Sequence, residues 1–400
     1  MSQAPQIYKI EPLTSDEISY LKSLAPVVKE HGVEVTSAMY NHLFETFPAV
    51  KSFFNQTNQF TKRQPKVLAF SLYAYITNLD DLSPISDFVE QIVVKHCGLG
   101  VLPEQYPVVL ECLVFAFTKI LGKEAINDKF IKIFAKAYGN LAQLLIDAEF
   151  NYYHKLQWSG FKDFKVAKLV KECNDVTSVY ITPVDGTVLK SGKPGQYIGI
   201  RWNLPGQNFE LSREYSVSND SQDLKNSNCF RISVRLIPNG LVSEYVNSGN
   251  LKIDDVIRVT SPIGKFFYED SENVTKETFT TVNLFAGGIG ITPMISICET
   301  ALENGKKVNL FYSNRSKESR AFDKWLIELK EKYPNTFNLQ EFISKDGNKL
   351  TAENFPTIQD KENSDNYLLG PVEYMNFVKQ RLNSQGIENI KIEYFGPTDV

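Results

Sequence analysis

"VVKHCGLGVLPEQY", residues 93–106, places a histidine at the end of an apolar run, punctuates it with two glycines, and reaches a tyrosine just past a proline. Phe88, Ile92 and His96 fall four residues apart, one stripe of a helix, so the imidazole points inward from a helix end. A second stretch, "FAGGIGITPM" at 285–294, follows another rule: a β-rich run meets Gly287, Gly288 and Gly290 and then a helix start. One chain therefore carries two architectures, and the seam between them has to be found.

At 400 residues the chain is too long for one compact core and predicts two to three domains. From Thr14 to about Tyr153 the texture is helical, as in "TSDEISYLKSLAPVVKEHG", "SDFVEQIVVKH" and "FAKAYGNLAQLLIDAEFNYY". Near Gln157 it changes to short β-rich runs broken by turns, such as "KPGQYIGIRWN" and "CFRISVRLIPNG", and predicts an antiparallel barrel. After "ENVTKE" strands alternate with helices, the pattern of a doubly wound parallel sheet. The expected domains are 1–153, 154–270 and 271–400.

Composition narrows the function. The chain is 42% hydrophobic and 22% charged, with net charge −4, so no basic field attracts nucleic acid and small-molecule partners are expected. Val108 to Leu121, the most apolar helical stretch, is interrupted by Glu111 and Lys119 and is too short to span a bilayer. The opening residues lack a basic start and apolar core, so a cytoplasmic location is expected, and a monomer. Five scattered cysteines without a C-x-x-C pair suggest neither a disulfide framework nor a zinc site.

In "VNLFAGGIGITPM" the glycines let backbone approach a pyrophosphate, Thr292 is a candidate N-cap and Pro293 a first helical residue. Such a turn is equally a plain tight turn. The next strand ends "FYSNRS", where Arg315 stands in place of an acid that would hold a ribose hydroxyl; it suits a 2′-phosphate, or solvent. "SREYSVSN" puts Arg213 and Tyr215 on one face of a strand, a cation beside an aromatic as a flavin and its phosphates require, and equally an ordinary amphipathic strand.

Order raises these weak signals. "KPGQY" (193–197), "REYS" (213–216), "SPIGKFF" (261–267), "GGIGITPM", "LGP" (369–371) and "YFGP" (394–397) resemble, in that sequence, the ferredoxin–NADP-reductase-like flavoproteins over roughly 155–400. The resemblance implies FAD on a Greek-key barrel, NADH or NADPH on the α/β domain, and hydride transfer between them. It assigns cofactor binding to Tyr197, Arg213, Glu214, Tyr215 and Ser216, to Gly288, Ile289, Gly290, Ile291, Thr292 and Pro293, to Arg315, and to Tyr394, Phe395, Gly396 and Pro397. Leu369 departs from the pattern, where a cysteine facing the nicotinamide is common.

In the helical segment, Tyr138, Ala142, Leu145, Glu149 and Tyr152 form a face that sets a carboxylate among apolar residues. A buried carboxylate needs a partner, for which His96 is the candidate with Tyr106 nearby; a slight rotation of the helix would leave Glu149 in water instead. "MYNHLFETFPAVKSFFNQTNQ" and "RQPKVLAF" complete a resemblance of the helical segment to the globin domain of fungal-type flavohaemoglobins, so the likeness covers nearly the whole chain. It implies His96 as the iron ligand of haem b, Phe54 and Leu68 packed on the haem, Tyr40 and Gln64 on the distal side, and Lys95, Tyr106 and Glu149 on the proximal side. The implied activity is nitric oxide dioxygenase: electrons pass from NAD(P)H through FAD to haem, where NO and O2 become nitrate. A haem-based O2 or NO sensor or carrier, and an NAD(P)H-dependent reductase of another acceptor such as a hydroperoxide, are the alternatives.

Overall fold

The computed structural model describes residues 3–54, 62–220, 223, 227–270 and 280–395. Its chain divides into two compact units, one running to Phe161 and including Pro205–Arg213, the other comprising Lys162–Leu204 and Glu214–Phe395. No helix among the described residues is long and apolar enough to cross a membrane.

As far as Tyr153 the regular elements of the first unit are helices: α1 (Ser15–Ser23), α2 (Ala25–Thr46), α3 (Arg63–Thr77), α4 (Ser86–Leu99), α5 (Gln105–Leu121) and α6 (Asp128–Tyr153), with short 3₁₀ turns between them. Thr14 caps α1 in a reciprocal box with Glu17, satisfying backbone donors that a helix start otherwise leaves orphaned. Where α2 crosses α3, a Cβ on Gly32 would lie 3.2 Å from that of Ala69, so small residues set the approach, and Thr36 Oγ1 donates to the Pro65 carbonyl at 2.8 Å. Gly100, at φ 71°, stops α4: the Val101 amide reaches back to the His96 carbonyl at 3.0 Å. The punctuation of "HCGLG" thus leaves His96 in the last turn of its helix.

Beyond these helices, β1 (Phe161–Cys173) to β6 (Val256–Thr260) form a six-stranded sheet in the order β4-β3-β6-β1-β2-β5, with β2 Val176–Pro183, β3 Tyr197–Trp202, β4 Leu211–Ser216 and β5 Phe230–Arg235. The pairs β1–β2, β2–β5 and β3–β6 run antiparallel, and α7 (Leu241–Asn247) stands between β5 and β6 in the chain. Just past β4 the chain joins both margins: the Val217 amide donates to Gln196 and that of Ser218 to Arg231 on β5.

The remaining strands, β7 (Thr281–Gly287), β8 (Lys307–Asn314), β9 (Phe337–Ile343), β10 (Ser364–Leu369) and β11 (Ile390–Ile392), are parallel in the order β11-β10-β7-β8-β9. β7 starts in the middle, the chain adds β8 and β9 on one side, and then crosses to β10, which makes the gap between β7 and β10 the topological switch point. Three helices, α8 (Thr292–Glu303), α9 (Asp323–Lys332) and α10 (Val372–Ser384), alternate with these strands. An asparagine ladder crosses the sheet in register: Asn338 donates to Asn309 at 3.4 Å, Asn309 to Asn283 at 2.9 Å and Asn283 to Asn366 at 2.9 Å. Each rung joins directly paired residues, so slipping any strand by one position would break it.

Candidate functional site

The helical unit brings together three of the residues expected to act together. His96 ends α4, Tyr106 lies in the first turn of α5, and Glu149 is fully buried on α6. The His96 Nδ1–H donates to Glu149 Oε1 at 2.7 Å, and the Tyr106 hydroxyl donates to the same oxygen at 2.5 Å. Burial and the Glu149 carboxylate beside it raise the Tyr106 pKa far above its ordinary value, so Tyr106 stays a donor. Nε2 of His96 has no hydrogen-bond partner among the described residues, and the ring is 30% exposed. Glu149 therefore fixes the tautomer and leaves the second nitrogen's lone pair for a ligand.

A second group gathers around Tyr40. Its ring meets Phe54 edge-on at 5.3 Å and stacks on Phe44 at 5.9 Å, while Leu68 packs in the same apolar cluster. Burial pushes the Tyr40 hydroxyl up to about 12, offset in part by its hydrogen bond with Gln64. Phe44, Phe54 and Leu68 remain half-buried, apolar surface that is only partly covered. Lys95 is also half-buried, one position before His96. No group of three or more His, Cys, Asp or Glu stands together among the described residues, so an ion on His96 would need other ligands of its own. A porphyrin supplies four, and the half-covered apolar rings suit its faces; haem fits the residues present.

The expected flavin residues lie along the margin of the first sheet. Arg213, Glu214 and Tyr215 on β4 stay half-buried, Ser216 is buried, and Tyr215 meets Trp202 edge-on at 6.2 Å. Tyr197 is 6% exposed and lies over the bare backbone of Gly264, φ 119°, where an added Cβ would fall 2.9 Å from its ring. An edge strand offering a half-covered cation and aromatic suits a ring system with phosphates. Tyr394 is half-buried and Phe395 is 44% exposed; Gly396 and Pro397 lie outside the described residues.

At the switch point the glycines have distinct reasons. A Cβ on Gly290 would overlap the Leu369 carbonyl oxygen, and one on Gly370 would come 3.0 Å from Gly287 Cα, so the loops leaving β7 and β10 touch backbone to backbone. Gly288 takes φ 56° in a 3₁₀ turn covering Gly288–Ile291, and that turn runs directly into α8. Thr292 is consequently the first helical residue and not the cap: its hydroxyl donates back to the Ile289 carbonyl at 3.0 Å. Pro293, expected as the first helical residue, is therefore the second, still within the first turn where its missing N–H costs nothing. Leu369 is fully buried, so its carbonyl and not its side chain meets the glycine turn.

Arg315 is exposed where β8 ends, its carbonyl held by the Lys345 amide at 2.9 Å. One residue escaped the sequence reading. Arg235, on β5, lies so close to the turn that a Cβ on Gly288 would fall 2.5 Å from its Nη1. It is anchored by Asp175 at 3.2 Å and by the Ser319 carbonyl at 2.6 Å. A fixed cation beside glycine amides and a helix N-terminus suits a pyrophosphate.

Known proteins share this organisation. Residues 37–145 match the globin family model, 175–268 the oxidoreductase FAD-binding domain and 284–380 the oxidoreductase NAD-binding domain. The structure resembles a flavohemoglobin from Malassezia yamatoensis with bound FAD and heme, at TM-score 0.83 and 20% identity over 96% of this chain and 100% of that one. It also resembles the flavohem-like FAD/NAD-binding domain of nitric oxide dioxygenase from Vibrio cholerae, at TM-score 0.50 and 29% identity over 59% of this chain and 99% of that one. The flavohemoprotein of Candida norvegensis is 52% identical over 100% of this chain and 99% of its own. A globin in which a histidine, a tyrosine and a glutamate converge, followed by an FAD- and an NAD-binding oxidoreductase domain, makes this chain a member of the flavohemoprotein family.

Proposed function

We propose that this chain is an NAD(P)H-dependent nitric oxide dioxygenase, with haem in domain 1–153, FAD in 154–270 and the nicotinamide nucleotide in 271–400. The observation that carries the reading is the His96 imidazole, anchored through Nδ1 by a buried carboxylate, in a chain that also carries flavin and nicotinamide domains. Converting NO to nitrate releases three electrons and O2 takes up four, so each turnover needs one electron from outside. A sensor or carrier that binds stoichiometrically needs no such supply, and a built-in reductase favours the catalyst. The likeness to the Vibrio cholerae dioxygenase domain supports the same reading.

When bound, haem supplies an iron for O2, and FAD supplies the step from a two-electron hydride to single electrons. The residues of this chain do the remaining work. His96 presents Nε2, and Glu149, accepting from Nδ1–H, makes that nitrogen more basic and so a stronger donor. Tyr106 holds the carboxylate oxygen in place. Tyr40 and Gln64 would offer hydrogen bonds to a ligand that becomes partly anionic, within an apolar wall of Phe54 and Leu68 that limits water. Arg213, Glu214, Tyr215, Ser216 and Tyr197, with Tyr394 to Pro397, hold FAD. Residues 288–293 with Arg235 hold the nucleotide pyrophosphate, and Arg315 reads its 2′-phosphate.

An NO electrode tests the proposal: NO should disappear only when both O2 and NAD(P)H are present. A protein that reduces artificial acceptors well but removes NO no faster than free haem overturns the reading in favour of a reductase of another acceptor.

A further inference from the structure

Before α1, residues 5–11 lie along the long helix α6, and the helix binds them as a sheet edge would bind a strand. Gln143, fully buried, accepts from the Ile7 and Tyr8 amides at 3.0 Å each and donates to the Pro5 carbonyl at 3.0 Å. Its last donor goes to Asp147 at 2.8 Å, so every polar group of the amide is used. One turn earlier Asn140 accepts from the Glu11 amide at 2.9 Å and donates to the Glu11 carbonyl at 2.7 Å. Between these clamps Tyr8 lies on the bare backbone of Gly139, where an added Cβ would fall 2.9 Å from its ring.

The strap reaches the histidine through one further side chain. Tyr8 meets Tyr138 edge-on, with centroids 6.1 Å apart at 74°, and Ile7 and Tyr8 pack on the cluster that contains Val93, Cys97 and Tyr106. The Tyr138 hydroxyl donates to the Tyr106 carbonyl at 2.8 Å. Tyr106 sits in the first turn of α5, so this bond pins the start of the helix that carries the phenol to Glu149. A continuous path therefore runs from Tyr8 through Tyr138 and Tyr106 to Glu149 and His96, every member within one unit.

We propose that Tyr138 and Tyr8 are positioning residues for the His96 imidazole, the strap 5–11 holding Tyr138 against the start of α5 so that the Tyr106–Glu149–His96 bonds keep one geometry. The inference rests on the reading of His96 as the haem ligand. Slackening at Tyr106 frees the carboxylate to turn, and the imidazole then samples several hydrogen-bond geometries in place of one. A residue with only a structural role would lower the melting temperature and leave the bond between iron and histidine untouched.

The test is the iron–histidine stretching band of the reduced, ligand-free holoprotein, recorded by resonance Raman for wild type, Tyr138→Phe, Tyr8→Ala, Tyr8→Phe and Glu149→Gln. Tyr138→Phe and Tyr8→Ala should broaden the band and move it from the wild-type position, while Glu149→Gln gives a single displaced band. Tyr8→Phe should match wild type, because the Tyr8 hydroxyl has no partner among the described residues and only its ring is required. Should Tyr138→Phe fail to assemble, Tyr8→Ala, remote from the imidazole, carries the test. Wild-type width and position in Tyr8→Ala, with Glu149→Gln displaced, overturns the strap. A band that Glu149→Gln does not move overturns the assignment of His96 and Glu149, and the strap falls with it.

Discussion

Tyr40 is a donor only while it keeps its proton, and burial that lifts its pKa to about 12 secures that throughout the neutral range. A hydrogen bond to a partly charged acceptor contributes about 1.5 to 3 kcal/mol. Tyr40→Phe should accordingly release O2 from the reduced protein roughly ten- to a hundredfold faster in stopped flow, at about 1.4 kcal/mol per tenfold; unchanged release would remove Tyr40 from the ligand's environment. His96→Ala should lose stable haem while keeping FAD, visible in one absorption spectrum, and a variant retaining a histidine-type five-coordinate haem would contradict the ligand assignment. For Arg315, exposed and placed where β8 ends, replacement by Ala should raise KM for NADPH more than for NADH; equal changes would show that it does not read the 2′-phosphate. His96 and Glu149 were legible because each falls in line with apolar residues at helical spacing, and Tyr106 because it stands close to His96 in sequence at a position that the family resemblance implies. Arg235 was not, because its neighbour Gly288 belongs to the turn that follows a later strand and no local pattern joins them.

At the scale of elements, the change from helical to alternating to βα texture was enough to anticipate the helical unit and both sheets. It did not reveal the asparagine ladder, since asparagine is depleted in strands and reads as a turn residue. The ladder is explained only by pairing: Asn283 and Asn366 are buried, so each amide must find its partner across the sheet, and register supplies it. Asn283→Val leaves a buried amide oxygen on Asn366 without its donor, at a cost of about 1 to 3 kcal/mol. Asn338→Val, at the exposed end, should change stability by about 0.5 kcal/mol or less. Denaturant titrations of the two variants check this, and equal stabilities would mean that the ladder does not hold the sheet. The start of α8 is a related case. The sequence offered Thr292 as its cap, but the glycines wound an additional 3₁₀ turn ahead of it, a backbone freedom that residue preferences do not express.

For the whole molecule, three textures read along the chain become two compact units, because the antiparallel and parallel sheets share one: Val176, Phe266 and Tyr268 enter the same apolar cluster as β7 and β8. What the sequence order could not supply was this merging of cores, which depends on contacts distant along the chain. The combination of haem, flavin and nicotinamide domains has one chemical purpose in the proposed reaction, to divide a hydride into two single electrons and spend one on each NO. The decisive measurement is therefore a ratio: nitrate formed against NAD(P)H oxidised, in excess O2 with limiting NO. Two nitrates for each NAD(P)H is the expected result. NAD(P)H oxidised in the presence of NO with no nitrate formed, or nitrate formed at the same rate when NAD(P)H is left out, would contradict it.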